Sequence, residues 1–390
     1  MDHITSYRIS CCYKYFLEVE QPFSALTQTR FQVSVSFNMS PHVAVIGAGV
    51  VGLTTAVLMQ EKIPGLQITL ISEQFSPHTT GDGSAGLWKP HCLKDTPQSD
   101  ILRWSSKTYS YMQKLWQDTD AGEIGVSLIP KYQLTEKPGG ADKEQPEWTK
   151  VPVAYQILDR DQAQKMCYGN KSKITGGIHF ISFTLEPARF LPYLTKKFKQ
   201  RGGKIVKRKI DSLQDLFNQQ FDVIVNCSGL QARNLVGDNL VRPVRGQVLR
   251  VKAPWLFHVV SQEKEDGSYI IPNEDSVILG GTLQEGNWNT KPDPADSISI
   301  HKGCCDLIPG LKEAVVVNEW AGLRPSRPKV RLEREIITDK YGNTLQVIHN
   351  YGHGGSGVTL SWGCAHEVVD ILQDILYNQS TTTTRLSSKL

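Results

Sequence analysis

The chain has 390 residues, 39% of them apolar and 21% charged, the proportions of an ordinary globular protein long enough for two interleaved domains with a sizeable core. Its 43 basic residues and 39 acidic residues leave a net charge of +4, too small and too dispersed to select nucleic acid or an anionic membrane as a partner, and no run has the length and apolarity of a membrane span. The cysteines at positions 11, 12, 92, 167, 227, 304, 305 and 364 form neither a CxxC nor a His/Cys cluster at metal spacing, which argues against a zinc site and predicts free thiols.

Residues 1–38 lack the charged start and continuous apolar core of a signal peptide and show no helical period, so they read as an N-terminal extension, disordered or outside the functional chain, with Met39 as the functional start. The first predicted strand, His42 to Ile46, runs into Gly47-Ala48-Gly49-Val50-Val51-Gly52, a GxGxxG turn that opens a helix. Gly47 permits the tight turn, Gly49 lets backbone amides approach a pyrophosphate, and Gly52 lets helix and strand lie close. Gln67 to Ser72 reads as the second strand and delivers Glu73 to its end, where a carboxylate accepts from ribose hydroxyls. These features predict a dinucleotide site; by themselves they leave FAD and NAD both open.

Further along, Ile101, Trp104, Thr108, Met112 and Leu115 keep a helical period, as do Phe190, Leu191, Leu194 and Phe198 ahead of Gly202 and Gly203. Lys204 to Val206 and Phe221 to Cys227 read as strands, the latter closing on Ser228-Gly229, small residues suited to a sheet edge that faces a nucleotide. Ser127 to Leu134, Val244 to Lys252, Tyr269 to Ile271, Val277 to Thr282 and Ile336 to Gln346 alternate or run apolar between turn residues, predicting a mostly antiparallel second sheet. His366 to Tyr377 reads as a closing helix. Residues 378–390 read as a flexible polar tail, and its last three residues, Ser388-Lys389-Leu390, match the peroxisomal import tripeptide, so the import receptor is an expected partner and the peroxisomal matrix the expected location.

The segment from Val347 to Thr359, Val-Ile-His-Asn-Tyr-Gly-His-Gly-Gly-Ser-Gly-Val-Thr, continuing to Trp362-Gly363-Cys364-Ala365, resembles the signature of the FAD-dependent D-amino-acid oxidases, the D-aspartate oxidases among them. Thr79-Thr80-Gly81-Asp82, Ala85-Gly86-Leu87-Trp88, Val225 to Gly229, Pro243 to Gln247 and Gly322 to Pro328 are similar to the same family in the same order, over residues 40–378. The resemblance implies an α/β fold: a Rossmann-type FAD-binding domain (39–90, 186–240 and 335–377) interleaved with a mostly antiparallel α+β substrate domain (91–185 and 241–334). It implies FAD as cofactor, held by Gly47 to Gly52, Glu73, Thr79, Thr80, Gly86, Leu87, Ser228, Gly229 and the run Gly354, Gly355, Ser356, Gly357, Val358 and Thr359. Amides of that last turn would face the flavin edge that carries charge when reduced.

An amino-acid oxidase has to fix the substrate carboxylate, and a guanidinium fork does this with two parallel hydrogen bonds. The resemblance assigns that role to Arg324, with Tyr269 donating to the same carboxylate and Gly355 beside the substrate; Arg327 reads as a salt-bridge residue, and His349 and His353 as cofactor packing. It further implies hydride transfer from Cα to flavin N5, reoxidation by dioxygen, and release of a 2-oxo acid, ammonia and hydrogen peroxide from a D-amino acid. The short lid, Glu263-Lys264-Glu265-Asp266-Gly267, is similar to that of D-aspartate oxidases and favours D-aspartate and D-glutamate over neutral substrates such as D-alanine. Many D-aspartate oxidases, however, carry an arginine where this chain has Leu283; Lys89 and Lys264 are the candidate substitute cations. The competing readings are a glycine or sarcosine-type oxidase, an NAD-dependent dehydrogenase and a non-catalytic flavin-binding protein.

Overall fold

The computed structural model describes residues 40–387 except 143, 170, 218 and 265; the N-terminal extension, Met39 and Ser388-Lys389-Leu390 lie outside the described residues. In chain order, β1 (His42–Ile46), α1 (Val50–Lys62) and β2 (Gln67–Ser72) lead to α2 (Gln98–Trp116), β3 (Val126–Thr135), the short β4 (Gln156–Leu158) and β5 (Gly176–Leu185). Next come α3 (Pro187–Gln200), β6 (Lys204–Lys207), β7 (Val223–Asn226), β8 (Arg242–Lys252), β9 (Val259–Gln262), β10 (Tyr269–Pro272), β11 (Val277–Gly280) and the two-residue β12 (Gln284–Glu285). The chain closes with α4 (Pro294–Leu307), β13 (Val315–Thr338), β14 (Thr344–His353) and α5 (Gly357–Ser387).

Apolar runs with no polar alternation, such as Val43 to Ile46 and Val223 to Val225, are buried on both faces, as parallel strands require. They form the predicted dinucleotide-binding half: β14, β7, β1, β2 and β6 lie side by side, each pair parallel. The second half runs antiparallel from β13 through β8, β11 and β10 to β9; β9 then pairs parallel with β3, beyond which β5 and β4 complete the edge. The mixed α/β architecture is therefore the expected one. Instead of two separate sheets, however, the described strands form one, because β13 bonds to β8 on one side and β14 bonds to β7 on the other.

Three local expectations are corrected. Ile336 to Gln346 is not one strand but the tip of the β13–β14 hairpin, where the Asp339 carboxylate accepts from the backbone N–H groups of Tyr341 and Asn343 and Gly342 takes φ +85°. The helix α2, expected with the substrate domain, packs Ile101, Trp104, Met112 and Leu115 into one core with Leu360, Cys364 and Val368 of α5. Gly363 makes this approach possible, since a Cβ there would lie 2.1 Å from the Trp104 carbonyl oxygen. Finally, α5 starts at Gly357 and continues through Ser387 where a polar tail was expected; no proline or glycine follows Gly363 to stop it.

Candidate active site

The β1–α1 turn has the geometry its glycines predict. Gly47 takes φ +104°, and a Cβ on it would lie 2.4 Å from the Cys227 carbonyl; one on Gly52 would lie 1.9 Å from the Gly47 carbonyl. Gly49 differs: a Cβ there would meet no heavy atom within 4 Å. Gly49 also caps α1 without a side-chain hydrogen bond, and the first turn carries no acidic residue, so the helix N-terminus presents its amides to an open space fit for a pyrophosphate. Glu73 emerges exposed at the end of β2 on a cavity of about 510 Å³ shared with Phe75, Pro77 and Lys207. Ser228-Gly229, just past β7, is aimed by a chain of hydrogen bonds with a buried centre at Asn226 and His349. Glu335 pairs with His349 Nε2 (2.7 Å), His349 Nδ1 accepts from Asn226 Nδ2 (3.2 Å), and Asn226 Oδ1 accepts from the Ser228 hydroxyl (2.7 Å).

This chain corrects the reading of His349, which holds β14 to the end of β7. His353, at the glycine turn, is buried, its Nε2 has no hydrogen-bond partner among the described residues, and burial pushes its pKa down to about 4, so it is neutral and supplies one unmatched polar atom beside Gly354 and Gly355. Other predicted cofactor residues serve the turns. Thr79 donates from N and Oγ1 to Asp82, just ahead of Thr80; Gly86, at φ +70°, leaves room for the Leu185 carbonyl, and Leu87 bridges to Thr184. Ser356 and Thr359 spend their hydroxyls on the loop that carries Lys89 and His91. Ser356 Oγ donates to the His91 carbonyl (2.7 Å) and accepts from its N–H (3.0 Å); Thr359 Oγ1 accepts from Lys89 N (3.2 Å). The glycine-rich start of α5, with Gly357 and the buried Val358, is thereby clamped to the 87–92 segment.

The substrate side is one face of the antiparallel sheet. Strand pairing aligns Tyr269 with Gly280 and Gly322 with Gly246. A Cβ on Gly280 would lie 2.1 Å from the Tyr269 ring, and one on Gly246 would lie 2.3 Å from the Arg324 guanidinium. Both functional side chains therefore lie down across neighbouring strands because those strands carry no side chain at the crossing. Arg324 Nη1 donates to the Thr282 carbonyl (3.2 Å). Burial raises the Tyr269 phenol pKa and the Arg324 charge offsets part of that rise, so the phenol remains protonated as a donor. Tyr269→Phe is expected to lower kcat/KM by about 10-fold, the worth of one hydrogen bond to a charged group at ~1.4 kcal/mol, with the flavin spectrum unchanged; steady-state kinetics and absorbance check both.

Lys89 and His91 enter from the clamped loop. His91 Nδ1 donates to the Lys89 carbonyl (3.1 Å), leaving Nε2 as an acceptor against Gly355, where a Cβ would lie 2.4 Å from it. His91 is exposed to solvent on this loop and Lys89 is half-buried; crowding by surrounding protein and then the neighbouring charges of Lys89, Arg324 and Lys131 lower the His91 pKa, and crowding lowers that of Lys89. Sequence reasoning missed His91 and Lys131. Lys264 is corrected: it pairs with Glu136 at 3.2 Å and lines a small cavity with Gly303 and Asp306, on the side where α4 covers the sheet. Arg327 is a salt-bridge residue, bonded to Asp238 at 2.9 Å.

The description FAD dependent oxidoreductase matches residues 42–371. Human D-aspartate oxidase is 38% identical over 339 residues, 86% of this chain and 96% of that protein. D-amino acid oxidase of Dugesia ryukyuensis is 36% identical over 341 residues, 86% of this chain and 98% of that protein. Among solved structures, glycine oxidase from Bacillus cereus ATCC 14579 superposes with a TM-score of 0.66 at 19% identity, covering 86% of this chain and 95% of the other. The open cradle at Gly49, the uncapped α1 and the unmatched His353 nitrogen fit FAD. This chain belongs to the FAD-dependent oxidoreductase family of the D-amino-acid oxidases.

Proposed function

We propose that this enzyme carries out FAD-dependent oxidative deamination of D-amino acids, acidic ones in preference to neutral ones. The observation that carries the reading is the placement of Arg324 and Tyr269 on one glycine-floored face, with His91 close enough to interact with both Lys89 and Arg324. When bound, FAD supplies the two-electron acceptor and passes the electrons to dioxygen, which leaves as hydrogen peroxide. Arg324 holds the substrate α-carboxylate in its fork and the Tyr269 hydroxyl donates to the same group, which removes rotational freedom about the reacting carbon. Oxidation needs the amine neutral, and the positive charges of Lys89 and Arg324 favour that form by repelling a proton from the substrate nitrogen. His91, neutral and with Nε2 unprotonated, offers the amine an acceptor. The imine product then hydrolyses to a 2-oxo acid and ammonia.

The cationic surroundings support acidic substrates, as does the similarity to D-aspartate oxidases. A reaction that produces peroxide suits the peroxisome, to which Ser388-Lys389-Leu390 would direct the chain. The test is peroxide release from purified holoenzyme over a panel of D- and L-amino acids, glycine and sarcosine. The expected order places D-aspartate and D-glutamate above D-alanine, with the L-enantiomers inert. Faster turnover of sarcosine or glycine than of any D-amino acid overturns the reading.

A further inference from the structure

Lys131 is a buried cation that the fold does not pair. Only 1% of it is exposed, yet among the described residues no carboxylate lies within ion-pair distance of it. Its Nζ donates to two neutral oxygens, Gln133 Oε1 (3.3 Å) and Ser261 Oγ (3.1 Å), and rests 5.3 Å from the centre of the Phe180 ring. An ammonium has three N–H donors, so beyond the Phe180 ring face one is left without an oxygen acceptor among the described residues. Lysines are seldom buried without a counter-charge, because losing hydration is costly.

Strand register places this donor on the substrate face. Side chains alternate along β3, and Ile129, two residues before Lys131, packs in the cluster that includes Val259, Val248 and Tyr269. Tyr132 points the other way, stacking on His179. Ser261, the hydroxyl that Lys131 holds, pairs directly with Tyr269 across β9 and β10. The Lys131 charge reaches His91, whose pKa it lowers, and Lys131's own pKa is lowered by burial and then by the charge of Lys89, with Glu263 acting the other way. Arg324 and Lys131 thus flank Tyr269 on one face of the sheet, and the charges of both reach His91.

We propose that Lys131, reinforced by Lys89, forms the cationic end of the pocket that receives the second carboxylate of an acidic D-amino acid, and that Lys131 sets the preference for acidic over neutral substrates. This rests on the D-amino-acid oxidase reading above. Lys131 is a specificity residue in this scheme: the α-carboxylate clamp of Arg324 works without it.

The experiment compares wild-type holoenzyme with Lys131→Met, Lys131→Gln and Lys131→Arg. Lys131→Gln removes the charge while keeping a donor for Ser261, and so covers the case in which Lys131→Met does not fold. The readouts are kcat/KM for D-aspartate, D-glutamate and D-alanine, and calorimetric binding of succinate and propionate, which are aspartate and alanine without the amine. The expected result is a loss of at least ~30-fold on one or both acidic substrates in the Met and Gln variants, with D-alanine changed by less than ~3-fold, succinate binding weakened selectively, and Lys131→Arg close to wild type. Equal losses on D-alanine and the acidic substrates, or an unchanged ratio, would make Lys131 a structural residue and overturn the proposal while leaving the acidic preference standing. A wild-type enzyme that oxidises D-alanine well and neither acidic substrate would instead overturn the acidic reading, and the proposal with it.

Discussion

Arg324→Ala is expected to leave a yellow, folded, FAD-bound protein whose kcat/KM for D-aspartate is at least ~100-fold below wild type. The magnitude follows from about 3 kcal/mol for a charge-assisted, two-bond contact that aligns the reacting carbon as well as binding it. The fold itself loses little. Arg324 donates from Nη1 to the Thr282 carbonyl and interacts with the Tyr269 hydroxyl, and it lies over Gly246, which carries no side chain. Arg324→Lys separates charge from fork geometry: it keeps the attraction and loses the parallel pair of donors, so an intermediate loss is expected. Steady-state kinetics together with the flavin absorbance of each variant decide the matter. Unchanged kinetics in Arg324→Ala would remove this residue from the carboxylate clamp. Arg327 would not take its place, being committed to Asp238 and to the Lys329 carbonyl.

The second large effect is expected at the cofactor turn, where two glycines of one motif should fail for different reasons. In Gly52→Ala the new methyl would sit 1.9 Å from the Gly47 carbonyl oxygen; backbone cannot step aside as a flexible side chain can, so α1 must move away from β1. Overpacking of this kind costs about 1–3 kcal/mol, and both the melting temperature of the apoprotein and the affinity for FAD are expected to fall, the latter by about 10-fold or more. In Gly49→Ala the methyl enters open space. The apoprotein should therefore melt as wild type does, while FAD binding still weakens because the methyl occupies room the pyrophosphate needs. Thermal unfolding without FAD and titration of flavin fluorescence check the pair. Equal melting temperatures and equal FAD affinities in the two variants would show that the turn tolerates a side chain at either position.

What the sequence by itself determined lay in local patterns. Apolar runs marked β1 and β7 as strands, helical spacing marked α2 and α3, and GxGxxG followed by a strand ending at Glu73 marked the nucleotide turn. Each is legible because a few neighbouring residues fix it. The resemblance then supplied Arg324 and Tyr269. The limits were equally local: residues 336–346 were read as a single strand although Asp339, Gly342 and Asn343 carry the chemistry of a turn.

Only the tertiary structure decided which residues share the pocket. Lys131 looked like an ordinary position in an alternating strand, and became notable once β9 was found between β3 and β10, placing it beside Ser261 and Tyr269. His91 emerged through the hydroxyls of Ser356 and Thr359, which clamp its loop to a helix far along the chain, whereas Lys264 was turned away to Glu136. Gly246 and Gly280 acquired a role because Arg324 and Tyr269 lie across them. Alternation fixes the face of a strand on which a side chain stands, but strand order is set by long-range pairing between segments that no local period relates. That order is what brings a guanidinium, a phenol and an unpaired ammonium to one surface.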